Sequence, residues 1–460
     1  MISDKKIINT GYTNVIGNIS ICTKKQFSAF IIILISLFSV LLYLNTIYGK
    51  FDCGDFKIIG ENGFISEWKY FSKIFTKEYF TISGEASYRP IVTISYFTDY
   101  AIWHTNPFGF HLTNVILHTI NTVLFYLFIN ATLQNKKIIF FSTLFFVTHP
   151  LLVETINAVG YREDLLSATF LMVSLIYFIK SDTILYERGG QQRRFILFYA
   201  ISLIAYLCAL FSKEMAITMP AILLLFAVFS AQKIWMGILK RLKGIYIGYI
   251  AITLFYLIIR FVVFSNPTLK INYQPGGFGV NVLTMIKILA SYIRLSFFPL
   301  KLNADYVVPL VKTPLEWSFI LSIAFLISIF TIFAKLCKSR NIFAFWMAWF
   351  FITVLPVMNI IPIGKIMAER YLYIPVMGFC VAKGILIYRI TDPTLSTHKM
   401  RLRKVVQLVL IILMIGGYGA SIIKSNRAWE KHDNTRTKNI PHSSDGYHTN
   451  CNLDLYAEGK

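Results

Sequence analysis

Apolar runs of about twenty residues recur from Phe27 to Ile423, the length a helix needs to cross a bilayer. In hydrocarbon every backbone N–H and C=O must find its partner within the segment, so such runs become helices. Hydrophobic residues make up 56% of the 460 and charged residues only 15%, outside the range of a soluble domain. The pattern predicts an all-α polytopic membrane protein with about eleven transmembrane helices and external interfacial helices. The net charge of +22 would point to nucleic acid in a soluble protein; here it must first be mapped onto loops.

Lys5, Lys6, Lys24 and Lys25 make residues 1–26 a cytoplasmic N-terminal segment. Phe27–Tyr48 lacks a cleavage site and reads as a retained first span, followed by an external loop, Gly49–Pro107. Within that loop Ile91–Trp103 is short, carries Asp99, and is expected to be interfacial or re-entrant. The next spans are Phe108–Leu133, Ile138–Leu152, Leu165–Ile179, Phe195–Phe211, Ile217–Ala231 and Gly244–Phe264. Val280–Pro299 carries Lys287 and Arg294. Counting it as a span would put Lys335, Lys338 and Arg340 outside, so an external amphipathic helix is expected, with a true span as the rival. Phe319–Phe333, Ile342–Pro356, Tyr371–Tyr388 and Val405–Ile423 complete the set and leave a polar external tail, 424–460.

Most basic residues thereby fall on the cytoplasmic side and are topogenic, so no nucleic-acid partner is needed to explain them. The opposite face collects Asp52, Asp55, Glu61, Arg89, Glu154, Arg162, Asp164, Lys213, Glu214, Glu369 and Arg370. The densest stretch is the polar insert His149–Asp164, between the apolar segments Ile138–Thr148 and Leu165–Ile179. Carboxylates, an arginine and a histidine are costly beside lipid, so this stretch is expected to build a site; a solvated loop is the alternative.

Asp52 and Asp55 follow the first span, where a partly desolvated carboxylate suits a general base; a solvated rim carboxylate is the rival. Arg162, Lys213 and Arg370 are candidate anion binders, since arginine offers a planar fork of donors and lysine a compact charge. Each has a nearby carboxylate (Asp164, Glu214, Glu369), so structural ion pairs are the competing reading. His111, Asn114, His118 and Asn121 form one stripe on a helix, explained by interhelical hydrogen bonds or by a catalytic role. The six cysteines show no CxxC spacing, and no HExxH, P-loop or GxSxG motif occurs. Metal-ligand sets, nucleotide-driven and several hydrolase classes are thereby disfavoured.

Several pieces occur together in a familiar order. They are Tyr88-Arg-Pro90; Asn106-Pro-Phe-Gly-Phe-His111 with Asn114 and His118; and His149-Pro150 with Glu154, Gly160, Arg162 and Asp164. Ser212-Lys-Glu214 with Pro220, Phe298-Pro299 with Ala304-Asp-Tyr306, and Ala368-Glu-Arg-Tyr-Leu-Tyr373 follow. In these the chain resembles the transmembrane and tetratricopeptide-repeat-containing O-mannosyltransferases and their bacterial relatives, class C integral-membrane glycosyltransferases. The resemblance implies that 27–423 is a catalytic membrane domain. It would move a sugar from a polyprenyl- or dolichyl-phosphate donor to a protein or glycan hydroxyl on the non-cytoplasmic face. It also implies a bacterial inner membrane or an endoplasmic reticulum membrane as location. Asp55 or Asp52 would be catalytic. Arg162, Lys213, Arg370, Arg89, His149, Glu154, Asp164, Glu214, Glu369, His111 and His118 would hold the donor. The donor is the lipid-linked sugar itself, and a divalent metal is the one cofactor left open. The family's adjacent acidic pair reads Gly54-Asp55 here, a departure that favours Asp55.

The tail, with Asn426-Arg-Ala-Trp429 and Pro441–Lys460, resembles the start of a tetratricopeptide repeat, too short to bury an apolar face by itself. A transporter or flippase of lipid-linked or anionic solutes is the alternative function, and an inactive membrane scaffold a third. A transporter would want charges near the midplane and related halves; the charges here gather at one face.

Overall fold

The computed structural model describes residues 21–51, 55, 59, 63–83, 87–186, 192–230, 235–264, 273, 275–300, 302–303, 306–339, 341–390 and 400–436. Asp52, Gly54, Glu61, Arg340 and the repeat-like residues 437–460 lie outside the described residues. Among the described residues the chain is helical, with no β-strand, as the apolar runs require.

The main helices are α1 (Ile21–Tyr43), α2 (Pro90–Trp103), α3 (Pro107–Thr132), α4 (Lys136–Val147), α5 (Val153–Asn157), α6 (Arg162–Tyr186) and α7 (Gln192–Ser212). They continue as α8 (Met219–Ser230), α9 (Trp235–Ile258), α10 (Gly277–Phe297), α11 (Trp317–Lys338), α12 (Ile342–Val354), α13 (Val376–Ile390) and α14 (Met400–Arg436). Asparagine side chains start three of them. Asn106 accepts from Phe108 N before Pro107 of α3, Asn135 from Lys137 N at α4, and Asn341 from Phe343 N at α12.

Among the described residues eight helices are long and apolar enough to cross a membrane, or nine if one bent pair counts as a span. Seven of the about eleven expected spans are among the eight, whose other member is Gly277–Phe297; the remaining four are the bent pair and three short helices. α8, α12 and α13 have 12, 13 and 15 residues. α12 and α13 are sheathed in protein: Phe345, Trp346 and Trp349 are buried on the first, and Val376 through Ile385 on the second. Two glycines permit the close approach of α13. A Cβ on Gly384 would lie 2.3 Å from Ser142 Oγ of α4, and one on Gly378 2.4 Å from Trp346 O of α12.

The expected third span is instead a helix pair, Lys136–Val147 and Pro150–Asn157, bent by 47° at His149. The fourth begins earlier than expected, at Val159, so Arg162, Glu163 and Asp164 occupy its first turns rather than a loop. Carboxylates are favoured there by the helix dipole. The α10 helix is long and apolar enough to span. Near its start Asn281 Nδ2 donates to Asn359 O at 3.0 Å, and near its end Tyr292 OH accepts from Ala368 N and Ser296 O meets His149 Nε2 at 3.1 Å. These contacts tie the start of α10 to the segment around residue 359 and its end to residues 368 and 149. α14 is continuous to Arg436, so residues 424–436 of the expected tail prolong the last helix.

Side chains pack into two apolar clusters. The large one runs through the bundle, and a smaller one gathers Phe51, Phe64, Tyr79, Tyr88, Tyr96 and Phe97 under the first long loop.

Candidate active site

The polar insert is folded, not looped. His149 Nδ1 accepts from Leu151 N at 3.4 Å, capping a 3-10 turn, Pro150–Leu152, that runs into α5. A second turn, Val159–Tyr161, leads into α6. Its amides are held by Asp55: Val159 N donates to Oδ2 at 2.9 Å and Gly160 N to Oδ1 at 2.5 Å. Asp55 is buried, so the loop after the first helix is tied to the insert through a charge-assisted pair of bonds.

Arg162 is fully buried at 0% exposure. Its Nε donates to Asn114 Oδ1 at 2.9 Å, Nη1 to Ser95 Oγ at 3.3 Å and Nη2 to Phe110 O at 3.0 Å. Asp99, on α2, completes the set with an ion pair at 2.7 Å and takes a further bond from Thr113 Oγ1. The guanidinium expected to bind phosphate is here enclosed by protein and fixes α2, α3 and α6 to one another.

The other charges form a connected chain. Lys213 Nζ lies 2.6 Å from Asp164 Oδ2 and 3.0 Å from Glu163 Oε1. Glu163 also pairs with Arg89, whose Nη2 reaches both oxygens of Glu214 at 3.3 Å. Arg260, from the end of the seventh expected span, approaches Glu214 Oε2 at 3.5 Å and donates to Tyr256 OH at 2.8 Å. On the other side Arg370 Nη1 donates to Glu154 Oε1 at 2.7 Å, and its own N–H to Oε2 at 2.9 Å. The Arg370 guanidinium lies over the Tyr161 ring, and the Tyr371 ring lies beneath both Arg370 and Lys213, joining the two halves.

Glu369 is the network's outlier. Its Oε1 accepts from Asn303 N at 2.5 Å and from Tyr306 OH at 2.7 Å. Burial, and secondarily the Glu154 carboxylate, push its carboxyl up to about 8 despite those two bonds. Arg370, the next residue, is engaged by Glu154 instead.

The α3 stripe divides among structural bonds. Asn114 Nδ2 donates to Ile156 O and Ala158 O, and Asn121 Nδ2 to Leu165 O. His118 Nδ1 meets Tyr373 OH at 2.9 Å, and His111 Nε2 meets Lys50 O at 3.3 Å. His149 Nε2 lies 3.1 Å from Lys383 Nζ, away from the chain of ion pairs. Among the described residues no group of three or more His, Cys, Asp or Glu could hold a metal ion.

The arrangement thus joins Arg89, Glu154, Asp164, Lys213, Glu214 and Arg370, keeps Glu369 beside them, and leaves Arg162, His111, His118 and His149 apart. Sequence reasoning missed Arg260, Glu163 as a bridge, and Asp99 as the partner of Arg162. A lone arginine at the end of an apolar run is itself costly, and that was the signal for Arg260.

No family model matches the chain, and no solved structure matches it. Curated proteins do. The protein O-mannosyl-transferase F38B6.6 of Caenorhabditis elegans is 25% identical over 397 residues, 84% of this chain and 54% of that protein. Protein O-mannosyl-transferase TMTC2 of Mus musculus is 31% identical over 206 residues, 44% of this chain and 24% of the relative. TMTC3 of Homo sapiens is 25% identical over 329 residues, 64% and 35% respectively. The chain spans about half the length of the worm relative and less of the others. It is an all-helical, multi-pass membrane protein similar, along most of its length, to the TMTC protein O-mannosyl-transferases.

Proposed function

We propose that this chain is a glycosyltransferase that moves a hexose from a polyprenyl- or dolichyl-phosphate donor to a protein hydroxyl on the non-cytoplasmic face. The observation that carries the reading is the run of ion pairs from Arg260 to Asp164, joined across the Tyr371 ring to the Arg370–Glu154 pair, drawn from separate segments and set against apolar helices. A charged head and a hydrocarbon tail are both accommodated at such a boundary, as a lipid-linked sugar demands. The relatives' name, protein O-mannosyl-transferase, supports mannose as the sugar and protein as the acceptor.

In this reaction the acceptor hydroxyl gives its proton to a carboxylate of the first loop, Asp55 or Asp52, and its oxygen attacks the anomeric carbon with inversion. The bond to the phosphate oxygen breaks, its electron pair staying on the phosphate. Arg89, Lys213 and Arg370 supply positive charge toward that leaving group. Arg162 acts as a positioning residue through Asp99 and Asn114. The catalytic part is the membrane domain 27–423, in a bacterial inner membrane with its site facing the periplasm or in the endoplasmic reticulum with its site facing the lumen.

The test uses the purified full chain in lipid nanodiscs with polyprenyl-phosphate mannose and serine- or threonine-containing peptides. Transfer with inverted anomeric configuration is expected. No transfer from any polyprenyl- or dolichyl-phosphate sugar overturns the reading. Labelling of single cysteines at position 69, whose side chain is exposed in the expected external loop, and at position 340 should report opposite sides of the membrane, and labelling from one side overturns the orientation.

A further inference from the structure

Glu214 is held unlike the other carboxylates of the network. Its contacts to Arg89 and Arg260 measure 3.3 and 3.5 Å, against 2.6 Å for Lys213–Asp164 and 2.7 Å for Arg370–Glu154. Its side chain is 32% exposed, while Asp164 and Glu154 are at 2% and 1%. A carboxylate loosely gripped by two guanidiniums at the open end of a network occupies a place that suits another oxyanion.

The two arginines are brought together by built structure. α9 ends in a π turn, Ile259–Val263, closed by Phe264 N donating to Ile259 O. Turns of this kind re-aim side chains and recur at functional sites. The turn carries Arg260 and then Phe264, whose ring stacks on Tyr88 with centroids 4.2 Å apart. Tyr88 precedes Arg89. Stacking therefore locks the segment bearing one arginine to the segment bearing the other, and Tyr256 OH fixes the Arg260 fork from below. Along the same helix Ile247, Ile250, Leu254, Ile258 and Val262 are exposed and form an apolar stripe that reaches the Arg260 turn.

We propose that Arg260 is the second arm of a phosphate clamp whose first arm is Arg89, and that Glu214 holds the place the lipid phosphate of the donor takes. The tail then lies along the α9 stripe in the bilayer. This rests on the transferase reading above and deepens it. The donor is a phosphodiester with one negative charge. When its bond to the anomeric carbon breaks, the electron pair stays on the phosphate and the acceptor oxygen forms the new bond to carbon. The released polyprenyl phosphate carries the added charge, so two arginines grip it more strongly than the donor and favour departure.

The probe is polyprenyl phosphate without sugar, bound to the full chain in phosphatidylcholine nanodiscs, with inorganic phosphate as a parallel competitor. Arg260→Gln should weaken its binding about tenfold or more, and Arg260→Lys should recover part of it. Glu214→Gln, which removes the competing carboxylate, should tighten it. In transfer assays Arg260→Gln should raise the KM for the donor and leave that for the peptide unchanged. Each variant is compared at equal monodispersity on gel filtration, and Glu214→Gln stays informative if Arg260→Gln folds poorly. Unchanged affinity in Arg260→Gln, or weaker binding in Glu214→Gln, overturns the clamp and marks a structural ion pair. Inorganic phosphate binding as tightly as the lipid overturns the lipid assignment. Arg260-dependent binding without any sugar transfer keeps the clamp and sinks the transferase reading; transfer indifferent to Arg260 does the reverse.

Discussion

The charges in and around the insert are held in two ways, enclosed at one end and partly exposed at the other. At the closed end Arg162 has every neighbour supplied by protein and pairs with Asp99 at 2.7 Å; its side chain is at 0% exposure. At the open end Arg89 and Arg260 share Glu214 at longer range, with all three side chains partly exposed. A desolvated ion pair costs several kcal/mol per ion before its attraction is counted, so a closed pair contributes geometry more than stability. A loose pair at the rim costs less to open and can exchange one anion for another. The same residue types thus serve two purposes, decided by enclosure.

The largest effect is expected at the closed end. Arg162→Met leaves Asp99 buried without its cation and should cost about 3–5 kcal/mol, read as a collapse in thermal stability in detergent. Adding Asp99→Leu should return most of it. A stable Arg162→Met protein that has lost donor binding would instead make Arg162 a ligand and erase the contrast.

Asp55 holds the turn that leads into Arg162. Asp55→Asn keeps the shape but loses the charge that holds two amides, and transfer should fall about 100-fold or more if Asp55 is the base. Parallel measurement with Asp52→Asn assigns the role. Equal transfer in Asp55→Asn with a lowered melting temperature would leave Asp55 as a clasp for the 159–160 turn.

Glu369 gives a pH-dependent contrast. Its carboxyl is raised from the ordinary carboxylate range to about 8, so the folded protein binds its proton more tightly than the unfolded chain. That contribution is complete below the unfolded value and is lost as pH rises through the folded one, with a slope of up to about 1.4 kcal/mol per unit. Thermal stability should fall between about pH 5 and 8 in the parent and stay flatter in Glu369→Gln. Identical profiles would show that Glu369 ionises normally.

The smallest effect belongs to the mouth. Tyr88→Leu removes the stack on Phe264 and should cost about 1 kcal/mol of stability, with a larger proportional rise in donor KM. A loss confined to stability would detach the stack from donor handling.

Much of the fold was legible because spanning helices announce themselves by length. The meeting of the insert with Lys213 and Arg370 was also legible, since each follows or precedes an apolar run on the same expected side. The pairings were not. Asp164 and Glu214 are near Arg162 and Lys213 in sequence, yet Arg162 pairs with Asp99 and Lys213 with Asp164. Helix starts were blurred for a related reason: hydropathy breaks at charged residues, while the backbone of α6 begins at Arg162 because buried partners absorb its charges.

By itself the sequence determined a helical membrane protein, because apolar runs of about twenty residues satisfy their own backbone groups only as helices. Only the tertiary structure decided which charge pairs with which and how far each pair is enclosed. Arg370 and Glu154 are 216 residues apart and Arg89 and Glu214 are 125 apart. An ion pair depends on distance and on exclusion of water, and both are properties of the packed chain.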